Sequence, residues 1–245
     1  MFILFISLDV LGLVRHGRGV CLYSDGTLYE GSWYRGLEHG KGKLMRGENR
    51  EVIYSGNWFE GTISGSGVYF FPNGDKYVGE FRDGARNGFG EYLTSDGHRY
   101  VGDWLHNQRH GKGVFTWSNG SYYDGDWEGN SRHGKGVLDI VGGMRYEGGW
   151  CKNYMDGKGT AVYPGGQIYQ GSFRLGLREG RGSVTFVEGA VYEGRFREDR
   201  IDGQGTLQMT GVAPGAEEGE RLIPVQIQAD LRRIHLRAGF GDDHH

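Results

Sequence analysis

The chain has 245 residues, a formal net charge of −3 and 48 glycines, nearly three times the usual share of about 7%. Only 4 prolines and no three-residue glycine period exclude collagen, and 13% aromatic residues exclude a flexible linker or a disordered tail. With 28 Lys and Arg against 31 Asp and Glu there is no bulk basic footprint, so nucleic acid is not an expected partner.

Residues 1–8 (MFILFISL) form the longest apolar run, and Asp9 ends it. That is short of the ~18 residues that suggest a membrane span. It has neither the basic flank nor the cleavage site of a signal peptide. Residues 1–14 fit no repeat. Arg15-His16-Gly17-Arg18-Gly19-Val20-Cys21 reads as the second half of a repeat. Its first half would place Tyr near position 6 and Gly near position 8, where Ile6 and Leu8 stand. An apolar cap and a start that has replaced repeat sequence both fit.

Residues 15–209 are periodic. Tyr29 begins the word Tyr29-Glu30-Gly31-Ser32-Trp33, which returns at Tyr54, Tyr77, Tyr100, Tyr123, Tyr146, Tyr169 and Tyr192. The first step is 25 residues and the following six are 23 each. Counting from each Tyr, position +2 is always Gly and position +4 is always Trp or Phe. Positions +11 and +13 are Gly, and position +15 is apolar in all eight repeats. Alternate residues share one face of a strand, so each repeat is predicted to be a β-hairpin. Three-residue phrases such as Ser118-Asn119-Gly120 fit a turn whose glycine takes the left-handed conformation. That loop pairs +15 with the next Tyr. Within a repeat, a constant register would pair Tyr with +15, Gly +2 with Gly +13, and the aromatic at +4 with Gly +11. The predicted fold is all-β: an elongated, single-layer antiparallel array of about 17 strands, roughly 80 Å long.

These units resemble the MORN repeat (membrane occupation and recognition nexus). Its Tyr-x-Gly-x-Trp and Gly-x-Gly words are matched closely by Tyr100 to Trp104 with Gly111-Lys112-Gly113, and by Tyr123 to Trp127 with Gly134-Lys135-Gly136. The resemblance implies a non-enzymatic scaffold in a cytoskeletal, ciliary or cortical assembly, in the cytoplasm. The alternative it implies is a peripheral membrane module for acidic phospholipids. Similar repeats also precede catalytic domains, in plant phosphatidylinositol phosphate kinases and in a SET-domain methyltransferase. The roughly 35 residues after the array here are too few for either.

Residues 210–245 follow the array. Residues 210–220 read as a polar linker. The stretch from Leu222 to Ile227 and beyond reads as a C-terminal cap, partly strand, with an amphipathic partner-binding tail as the alternative.

His16, His39, His110 and His133 recur at +10, but equivalent positions stand about 9.6 Å apart. They form a column of structural turn residues rather than a metal site, and no metal or cofactor is expected. Cys21 and Cys151 lie about eleven strands apart, roughly 50 Å, too far for a disulfide. No nucleophile elbow, kinase motif or P-loop is present. The best binding candidate is the aromatic face: Tyr77, Phe81, Tyr100, Trp104, Tyr123, Trp127, Tyr146 and Trp150. There the ring bodies are expected to pack and the polar tips to stay accessible. The second candidate is the pair of basic columns, Arg109, Arg132 and Arg178 at +9 with Lys112, Lys135, Lys158 and Arg181 at +12. They would face acidic lipid, or be neutralised by cross-strand pairs such as Asp103 with Lys112 and Asp126 with Lys135. Expected partners are proteins, with acidic lipids as the alternative, and copies of the chain pairing through the array ends.

Overall fold

The structure, a computed structural model, describes residues 5–7, 10–11, 14–211 and 223–230, with side chains over 14–209. No helix occurs among them. The all-β, antiparallel hairpin expectation is borne out. The chain divides into two units, residues up to 119 with 127–130, and residues 120–126 with 131 onward.

In the first unit, strand Gly17–Leu22 pairs with Thr27–Tyr34 and begins a meander. It continues through Leu37–Arg46, Glu51–Phe59, Thr62–Phe70, Lys76–Arg82, Ala85–Leu93, Arg99–Leu105 and Gln108–Thr116. The second unit runs through Ser131–Asp139, Arg145–Cys151, Tyr154–Val162, Ile168–Arg174, Leu177–Thr185, Val191–Arg197 and Arg200–Gly211.

Two kinds of turn close the ladders, apart from a longer one at residues 47–50 in the 25-residue step, where the Arg50 N–H donates to Gly47 O at 3.2 Å. Between repeats, the expected type of loop is found: in Phe71 to Asp75 the N–H of Gly74 donates to Phe71 O at 3.0 Å, and Gly74 sits at φ 88°. Within each repeat a second turn, unmarked in the sequence reading, spans positions +6 and +7. Both residues have positive φ, as in His106 (46°) with Asn107 (67°) and Leu175 (50°) with Gly176 (86°). That is the two-residue hairpin turn whose twist matches the strands, and it explains Gly, Asn or Asp at +7.

The register between repeats follows the expectation, with Ala161 opposite Tyr169 and Val184 opposite Tyr192. Inside a repeat it is corrected. Gly171 faces Gly182, but Phe173 then faces Arg178, so the second strand carries two more residues across the slip. The aromatic at +4 therefore faces +9 of its own repeat, and it meets Gly +11 of the preceding one, as in Gly180 with Phe196. The glycines at +11 lie in the bulge with φ between 57° and 88°.

At the first end, Ser7 stands opposite Gly19, one residue out of the repeat register. At the other end, Thr210 and Gly211, expected in the linker, continue strand Arg200–Gly211. The rest of that linker lies outside the described residues. Strand Ile223–Asp230 pairs along Arg200–Gly211, from Gly211 opposite Ile223 to Gln204 opposite Asp230.

Candidate functional site

The aromatic face is built around each Tyr. Its ring lies over the facing glycines at +2 and +13, where an added Cβ at Gly113 would stand 2.6 Å from the Tyr100 ring. Except at Tyr192, the phenol reaches the register slip and donates to the carbonyl of residue +3. Tyr100 bonds Asp103 O at 3.0 Å, Tyr123 bonds Asp126 O at 3.0 Å and Tyr146 bonds Gly149 O at 2.9 Å. Rings inside the row also sit edge-to-face between two aromatics at +4. Tyr77 lies 5.0 Å from Phe81 and 5.4 Å from Trp104, and Tyr146 lies 5.2 Å from Trp150 and 5.0 Å from Phe173. Indole N–H groups are used too, Trp104 donating to Gly90 O and Trp150 to Gly136 O.

The aromatic candidates are thereby corrected. Tyr77, Phe81, Tyr100, Trp104, Tyr123, Trp127, Tyr146 and Trp150 are all buried, with at most 7% exposure. Their polar tips are spent on backbone carbonyls, so the face is the core of the sheet rather than an open groove. Burial pushes the phenols up, to about 12 for Tyr77 and Tyr146.

The first basic column turns inward as well. Arg109 lies 4.5 Å from the centre of the Trp127 ring, Arg132 4.5 Å from Trp150 and Arg178 5.2 Å from Phe196. Each guanidinium donates to the carbonyl of the +7 residue of the next repeat: Arg109 to Asn130 at 3.1 Å, Arg132 to Asn153 at 3.0 Å, Arg178 to Asp199. The +7 side chain accepts from the Arg backbone N–H in return. Arg86 with Asn107 is the same clamp. Where +9 is Glu38, Ile63 or Met155, the next +7 is Gly61, Gly84 or Gly176; Arg15 is the exception, covering Trp33 at 4.6 Å with Gly36 at the next +7. These arginines are not lipid-facing. The pairing of Arg at +9 with Asn or Asp at the next +7 was present in the sequence, and so was the odd position that places +9 on the aromatic face.

The second column stays outside. Lys112, Lys135, Lys158 and Arg181 are exposed on the opposite face. The carboxylates of Asp103 and Asp126 accept from the backbone N–H of Lys112 at 2.9 Å and of Lys135 at 2.8 Å, a bond not foreseen beside the expected side-chain pairs. The histidine column is also corrected: His39, His110 and His133 lie within strands. His16 and His39 flank Tyr34 at 5.4 and 5.5 Å.

On this polar face the glycine rows floor two open troughs. One in the first unit holds about 780 Å3 and is lined by Arg18, Lys41, Lys43 and Glu30 among others. One in the second unit holds about 900 Å3, with Lys158, Arg181 and Arg195 along it. Cys21 is a buried free thiol, pushed up by desolvation, and Cys151 is an exposed one.

The sequence model of the MORN repeat matches residues 14–28, 29–47, 54–76, 77–99, 100–122, 123–145, 146–168, 169–191 and 192–210. Comparison with curated protein sequences gives no match. Among solved structures, the SAS-4 (dCPAP) TCP domain of Drosophila melanogaster, in complex with a proline-rich motif of Ana2 (dSTIL), is 14% identical. The match covers 58% of this chain and 76% of that one, at a TM-score of 0.36. The wild-type TCP10 domain of Danio rerio CPAP is also 14% identical, covering 76% of this chain and 85% of that one, at a TM-score of 0.39. At that level neither bears on what this chain does.

Proposed function

We propose that this chain, which belongs to the MORN repeat family, is a non-enzymatic scaffold that holds protein partners within a cytoskeletal, ciliary or cortical assembly. The observation that carries this reading is the pair of open, glycine-floored troughs on the polar face. Each is assembled from the same positions of several consecutive repeats. Such a surface offers many weak contacts in series, and linked contacts give avidity. Among the described residues the strongly perturbed groups are mostly buried phenols; most of these are spent on backbone carbonyls, and Tyr92 donates to the Asp75 carboxylate instead.

The test is proximity labelling by the tagged chain in ciliated cells, beside a turnover assay of the purified chain with ATP and phosphoinositide. Labelling concentrated on cytoskeletal or ciliary proteins, with no turnover, is the expected result. Turnover by the chain would overturn the non-enzymatic reading. A second reading, acidic phospholipid binding, has one observation of its own: the exposed cations at +12. Pelleting with anionic liposomes that fades as salt rises is its signature.

A further inference from the structure

The trough of the second unit contains an arrangement the fold itself does not call for. Arg181 and Arg195 stand directly opposite one another on adjacent strands. Like charges in that relation weaken a ladder. Neither guanidinium, nor the Lys158 ammonium, has a hydrogen-bond or ion-pair partner among the described residues. Arg178, three residues before Arg181 on the same strand, has Asp199 beside it at 3.1 Å. The strand therefore carries one arginine that holds the sheet together and one that does not.

The chemistry around the opposed pair is specific. Three cations, Lys158, Arg181 and Arg195, against one carboxylate, Glu193, leave the trough at +2. Ser183, Thr206, Gln170 and Gln204 add hydroxyl and amide groups along it. No aliphatic or aromatic side chain lines it. The floor is the glycine row Gly159, Gly171, Gly182, Gly194 and Gly205. That row crosses five strands, ~19 Å, the length of about six extended residues.

We infer that this trough seats an extended partner peptide and that Arg181 and Arg195 together clasp a phosphorylated serine or threonine on it. A phosphate at neutral pH carries a charge of about −1.5 to −2, which matches the trough, and its oxygens suit two guanidinium forks. The hydroxyl and amide groups match peptide backbone. A bilayer is disfavoured here, since the trough offers nothing apolar to insert and sets Glu193 against anionic headgroups. The inference rests on the protein-scaffold reading and names the partner chemistry of that same surface.

The experiment uses the full chain and two fluorescent pools of degenerate nonapeptides, one with a fixed central phosphoserine and one with serine, read by anisotropy. Phosphatidylcholine vesicles carrying phosphatidylserine form a third arm. The phosphorylated pool is expected to bind at least about tenfold tighter than its twin. Arg181→Gln and Arg195→Gln are each expected to erase that difference without lowering the melting temperature, because each relieves the opposed charges. Exposed Arg197→Gln is the control and should leave it intact. Equal binding of the two pools overturns the phosphate clasp and leaves the scaffold reading standing. Binding to neither pool, with vesicle binding lost in the same two variants, overturns the clasp and the protein-scaffold reading together.

Discussion

At the scale of single residues, the repeat glycines fall into two physical kinds. Gly125 has no room: an added Cβ would stand 2.5 Å from the Gly136 Cα and 2.6 Å from the Lys135 carbonyl oxygen. Gly157 has room on every side but sits at φ 82°. Gly125→Ala is expected to cost about 3 kcal/mol or more through displaced backbone, and Gly157→Ala about 1 kcal/mol. Only the second should be eased by Asn, which tolerates that φ; urea unfolding of the four chains decides it. The tyrosines sort similarly. Tyr146→Phe strips a bonded hydroxyl and should cost about 1 kcal/mol. Tyr192→Phe should cost nothing measurable, since that hydroxyl has no partner among the described residues. Burial holds the phenols neutral, with Tyr54, Tyr77, Tyr146 and Tyr169 raised to about 12 from an ordinary value near 10. A raised acid favours the fold in its protonated form. That stability is whole below pH ~10 and is lost as pH climbs toward 12, so phenolate absorbance should appear late and together with unfolding.

At the scale of elements, hairpins are joined by more than their ladders. Arg132 binds Asn153 of the next turn and covers Trp150, tying one repeat's second strand to the following hairpin. A double-mutant cycle on Arg132→Ala and Asn153→Gly should return a coupling near 1 kcal/mol. The joint at Met155 and Gly176 lacks the clamp, though the Gly176 N–H still donates to Met155 O at 2.9 Å. Gly176 already has the left-handed φ that Asn accepts. Met155→Arg with Gly176→Asn should therefore add stability that neither substitution adds alone, read as a rise in melting temperature.

At the scale of the molecule, the two faces of the sheet divide the work. The aromatic face is closed on itself, and what remains for a partner is the polar face with its troughs and exposed cations. Reversing Lys41, Lys158 and Arg181 to Glu should leave the far-ultraviolet spectrum unchanged while abolishing partner labelling in cells. Unchanged labelling would remove the polar face from the mechanism.

Strand order, the register between repeats and the loop at glycines such as Gly74 were legible in the sequence, because a period-two pattern repeated eight times leaves one consistent pairing. The turn at +6 and +7 was written there too, in the Gly, Asn and Asp at +7, as was the match between Arg109 and Asn130. What spacing alone could not give was the register slip at Gly +11, since a two-residue bulge preserves the parity of every position. Nor could it show how far a side chain leans. Tyr100 lies down over two glycines and spends its hydroxyl at that slip, and Arg109 folds back over Trp127. The sequence determined which residues share a face. Only the tertiary structure decided which face is shut, because that depends on rings and guanidinium groups reaching across strands into space that neighbouring repeats leave empty.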